Sequence, residues 1–117
     1  MNLHNLTTKA VELTKANDGA TILKNGDEAK KGYAVGGLKE FKVPYNVGEG
    51  ALWQCALSAI LTINTIDCDA YGFWVDGDTL YIDAVTIFQD PAKALAFAAK
   101  NDELAIFCIH TQDEIRL

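Results

Sequence analysis

From residue 43 to residue 92 the chain has no lysine and no arginine. Nucleic-acid binding depends on those side chains to neutralise phosphates, so this stretch is poorly suited to it, the lysine-bearing first third being the one exception, and no nucleic-acid partner is expected. Cysteine is sparse. Cys55, Cys68 and Cys108 are widely spaced with no C-x-x-C, which signals neither a zinc site nor a disulfide framework and makes free thiols of a reducing compartment the simpler reading. No apolar run approaches the roughly 20 residues of a membrane-spanning helix. Met1 to Asn5 carry neither the basic region nor the apolar run of a secretion signal, and a cytoplasmic location with no membrane partner is expected. The G-x-G-x-x-G and G-x-x-x-x-G-K patterns are missing, and Gly36-Gly37 is too short for a phosphate loop.

What is present suits one domain: 117 residues, half of them hydrophobic. The net charge of −6 is unevenly spread. Residues 1–43 carry seven lysines against five acids, whereas residues 44–117 carry three basic side chains against eleven acids. An acidic half of this kind attracts a cation, a basic partner, or the basic segment of a neighbouring subunit.

The clearest local signal is Phe73 to Asp83, where Asp76-Gly77 lies between two runs of aromatic and β-branched residues. Asp-Gly favours a two-residue type I′ turn, which predicts a β-hairpin. Upstream, Leu3, Leu6, Ala10 and Leu13 recur at helical spacing and predict a helix ending near Asn17-Asp18-Gly19, with Gly19 as its terminating residue. Ala20 to Leu23 reads as a short extended piece, followed by a turn at Asn25-Gly26. Residues 1–31 are therefore expected as a helical appendage to a domain spanning 32–117.

Tyr33, Val35, Phe41 and Val43 share one strand parity, with Gly36-Gly37 marking a bulge or a break into two pieces. Ala51 to Ile63 carries an apolar stripe of Leu52, Ala56, Ala59, Ile60 and Ile63 and a second of Trp53, Leu57 and Leu61, so it needs cover on more than its sheet side. Asp90-Pro91 predicts a helix start, and Leu104 to Ile109 is an apolar run of strand length. The order β, α, β, β, α, β predicts an α+β, ferredoxin-like βαββαβ fold: a four-stranded antiparallel sheet with both helices on one face. With Phe73, Val75, Leu80, Ile82, Ile106 and Cys108 toward the helices, Trp74, Tyr81, Phe107 and Ile109 emerge on the other face beside Asp76 and Asp83. An apolar face of that extent is expected to be covered by pairing with a second copy.

Over residues 32–110 this element order resembles the dimeric ferredoxin-like, or dimeric α+β barrel, proteins. The stretch WVDGDTLYIDAVTIFQDPAKALAFAAKNDELAIF is also similar to the ends of small uncharacterised proteins of phages and environmental bacteria. The dimeric barrel resemblance implies a homodimer with a cavity at its seam. Members include cofactor-independent oxygenases, haem-handling enzymes and small-molecule binders, so it leaves the activity open.

Individual residues carry little chemistry. Asp67, Asp69, Asp76 and Asp78 are spaced somewhat as in a calcium loop, but Tyr71 occupies a ligand position and a strand replaces the second helix, so no metal site is expected. His110 and His4 lack an acid at fixed spacing. Cys55 and Cys108 lie in apolar elements and Cys68 between two acids, which disfavours a thiolate. Trp74, Tyr81 and Phe107 would stack bases, but Asp76 and Asp83 repel phosphates.

The expected protein is thus a non-catalytic dimeric module that binds a small ligand or regulates a partner without a cofactor. Trp74, Tyr81, Phe107, Asp83 and His110 form its ligand-binding or dimer face. One rival is a cofactor-independent barrel enzyme using His110, Tyr81 or Asp83. Another is an accessory protein whose acidic half docks on a basic protein.

Overall fold

The computed structural model describes all residues, 1–117. The chain runs α1 (Leu3–Asn17), β1 (Gly19–Leu23), β2 (Tyr33–Val35), β3 (Glu40–Pro44), α2 (Glu49–Ile63), β4 (Ala70–Asp76), β5 (Thr79–Phe88), α3 (Pro91–Lys100), β6 (Ala105–Cys108) and β7 (Asp113–Arg116). Seven strands form one antiparallel sheet in the order β1-β4-β5-β2-β6-β7, with β3 also paired to β5.

This corrects the expected fold. The sheet has seven strands where four were predicted, and it stays open, so neither a simple ferredoxin-like βαββαβ unit nor a dimeric α+β barrel is formed. The physical reason lies in β5. At ten residues it is long enough to pair Glu40–Pro44 along its first half and Tyr33–Val35 along its second, so the Gly36-Gly37 interruption yields two strands on one partner. Two further strands extend the edges: β1 lies outside β4, and β7 outside β6.

The N-terminal helix is not an appendage either. Leu6 and Ala10 of α1 are inaccessible to solvent and share one core cluster with Leu52, Ala56 and Ile60 of α2 and Ile22, Tyr71, Phe73, Leu80 and Ile82 of the sheet. The buried stripe of α1 is rotated from the predicted one, taking in Thr7, Val11 and Thr14. Thr7 and Thr14 tolerate burial because their hydroxyls donate to the carbonyls of Leu3 and Ala10 at 2.6 and 2.7 Å. Asp18, at φ 61°, takes the left-handed residue expected of Gly19. Gly19 is required for a different reason: a Cβ there would meet the Phe73 carbonyl at 2.9 Å, so glycine lets β1 lie against β4.

In α2 the predicted stripe is buried, whereas the second is covered only in part: the Trp53 indole donates to Thr8 Oγ1 of α1 at 3.1 Å, and Leu61 stays exposed. A smaller cluster of Val35, Ala94, Ala98 and Ile106 seats α3. By strand alternation all three helices lie over one side of the sheet.

Two local signals differ in outcome. At the hairpin tip Asp76 pairs with Thr79, so Gly77-Asp78 is the loop, and Gly77 at φ 60° supplies the single positive-φ position of a type II′ turn in place of type I′. At α3 the Asp90 carboxylate accepts from the Ala92 amide at 2.9 Å, with Pro91 at the first helical position. Asp90→Ala is expected to destabilise the domain by about 1 kcal/mol in urea unfolding, with Asp90→Asn close to neutral.

Candidate functional site

Opposite the helices, alternation along β1, β4, β5 and β3 sets Gly19, Trp74, Tyr81 and Lys42 in one transverse row. Trp74 and Tyr81, directly paired across the strands, stack face to face with centroids 4.2 Å apart and planes 11° from parallel. The Lys42 ammonium lies 5.8 Å from the Tyr81 ring centre, on the side away from Trp74. Trp74 is 45% exposed despite its size, because β1 brings only Gly19 beside it.

The next row is Thr21, Gly72, Asp83 and Glu40. A Cβ at Gly72 would overlap Asp83 Oδ1, and one at Gly36 would overlap Oδ2, so two backbone segments without side chains box the carboxyl in. Burial is the main cause that lifts this carboxyl to about 7, with the charges of Glu40 and Glu103 adding to it. Glu103, in the link between α3 and β6, is also raised, by burial and then by Glu40. Gly37 at φ +100° admits Glu103, whose Oε1 would lie 2.5 Å from an added Cβ. The Gly36-Gly37 break is thus where three carboxylates from three parts of the chain gather.

Trp74, Tyr81 and Asp83 are therefore neighbours, as strand parity implies. Phe107 shares their face but belongs elsewhere: it packs on a second small core of Ala29, Ala34, Ala70, Val85 and Ile109. The 24–32 segment and Ile109 cover that end of the sheet, so the bare apolar face is smaller than the sequence suggests. His110 is exposed in the turn after β6, away from the aromatic row. No group of three or more His, Cys, Asp or Glu side chains is placed to hold a metal ion. Of the calcium-like acids, Asp69 instead accepts from the Ile87 amide at 2.8 Å, and Asp78 from the Asn46 side chain.

The chain matches no family model, no curated protein and no solved structure. The site must be read from its own geometry.

The two main cavities lie elsewhere. One, of about 1060 Å³, is lined by Lys9, Lys24, Lys30 and Lys31 with Asp27 and Asp69. Lys9 and Lys24 there are committed to the backbone carbonyls of Gly26 and Ile66. The other, of about 340 Å³, is a groove between α1 and α2 beside Trp53. Neither is walled by Trp74, Tyr81 or Asp83.

The expectation that the apolar strand disfavours a Cys108 thiolate is overturned. Cys108 is partly exposed, and hydrogen bonds from the Thr111 side chain and amide hold its thiol below the ordinary range. The apolar character of Leu104 to Ile109 concealed this, since the relevant donors belong to the turn that follows the strand.

Proposed function

We propose that this protein is a non-catalytic binding module that holds another protein against the open side of its sheet. The observation that carries this reading is the Trp74-Tyr81-Lys42 row: a stacked aromatic pair and a cation, on a rigid strand scaffold, left uncovered by the molecule's own helices. Tryptophan and tyrosine are the side chains most enriched where binding energy concentrates, and sheet positions hold them in place before a partner arrives. A small ligand is less well served, because the main cavities lie elsewhere and Phe107 packs apart. The enzyme reading loses its barrel scaffold, and Asp83, the group titrating where a base would, is enclosed by Gly36 and Gly72. As for the remaining features of the chain, no helix is long and apolar enough to cross a membrane.

The test is retention by the immobilised protein of partners from its own cells, compared with a Trp74→Ser bait, together with sedimentation of both proteins alone. Loss of a partner, or of a homodimer, in the Trp74→Ser protein is the expected result. Identical retention and identical sedimentation would overturn the reading.

A further inference from the structure

The aromatic stack has two outer faces, and they are not equivalent. The Tyr81 face carries the Lys42 ammonium, whereas the Trp74 face meets only Gly19, whose missing side chain leaves the indole bare. Gly19 is held to glycine by its approach to Phe73, so the floor beside the indole stays open for a structural reason.

Around that face the fixed charge is negative. Asp76, two residues along β4 from Trp74, is exposed on the same side of the sheet. Neither β4 nor β5 contains a lysine or arginine, and the next positive charge on this face, Lys42, already sits beyond Tyr81. An exposed indole beside an aspartate has the chemistry that receives a guanidinium: a planar, weakly hydrated cation that stacks on the ring and bonds a carboxylate through its edge.

We infer that the bare face of Trp74, floored by Gly19 and flanked by Asp76, is the seat of an arginine side chain from a basic segment of a partner protein. This rests on the binding-module reading and names its occupant. Lysine fits less well, being a compact and strongly hydrated charge with no plane to stack. The acidic excess of residues 44–117 steers such a segment toward the face and adds a salt-sensitive component to its arrival.

The test is an amide and indole NMR titration of the full chain with a capped hexa-arginine peptide and, separately, a capped hexa-lysine peptide at physiological salt. Saturable shifts centred on the Gly19 amide and the Trp74 indole N–H are expected, with arginine bound about fivefold more tightly than lysine. Trp74→Leu should abolish the Gly19 shift, Trp74→Phe should retain most of it, and Asp76→Asn should weaken binding about threefold. A well-dispersed spectrum of each variant separates loss of the seat from loss of the fold. Shifts scattered over acidic residues with Gly19 and Trp74 unmoved, equal affinity for the two peptides, or unchanged binding by Trp74→Leu would overturn the inference. The module reading is judged separately: a partner still lost with the Trp74→Ser bait would leave that reading standing with a different occupant.

Discussion

Asp83→Asn is expected to make the protein more stable at pH 8 and nearly as stable as the parent at pH 4. In the unfolded chain this carboxyl titrates near 3.8, whereas in the fold it titrates at about 7. Between those values the folded state keeps a proton that the unfolded state has released, so stability falls as pH rises through this window, and the cost is complete above it. A shift of that size corresponds to at most about 4 kcal/mol, and partial exposure of the side chain reduces it. Asparagine keeps the shape of the neutral acid between Gly36 and Gly72 and carries no charge to desolvate. The expected gain at pH 8 is about 2 kcal/mol, read from urea unfolding of both proteins at pH 4, 6 and 8. Parallel pH profiles for the two proteins would show that Asp83 is not the group responsible.

Leu6→Ala is expected to cost the whole molecule about 3 kcal/mol in a single unfolding transition. Leu6 has no accessible surface and joins the cluster that connects α1, α2 and the sheet, so its removal leaves a cavity in the shared core. A helix merely attached to the outside would behave differently: far-ultraviolet signal would be lost at low urea while the signal of the buried Tyr71, whose hydroxyl donates to Asn64 at 3.0 Å, persisted. Coincidence of the two probes distinguishes these outcomes.

What was legible in the sequence was local. The alternation in Phe73 to Asp83 placed Trp74, Tyr81 and Asp83 on one face, because the side chains of a strand alternate whatever the strand pairs with. The start of α3 was legible because Asp90 and Pro91 act within one helical turn. The Gly36-Gly37 interruption was visible, but its meaning depended on the length of β5, a partner some forty residues downstream. β1 reads as a short extended piece because its partner, β4, is about as distant, and β7 has only Ile115 as an apolar residue and is exposed along its length. The titration of Asp83 was hidden for the same reason. Its environment is made of what Gly36 and Gly72 lack, and an absent side chain leaves no pattern around the acid itself.

The placement of β5 also governs when this chain can fold as it is made. Strands β1, β2 and β3 all precede their partners, and none can pair until the stretch from Ala70 to Phe88 has left the ribosome. Until then the nascent chain can close α1 against α2 and β1, and α2 against β3, but no strand ladder of the sheet. The apolar faces of the two helices and three unpaired strands wait together, so the interval before residue 88 emerges is when the polypeptide most needs a chaperone's shelter.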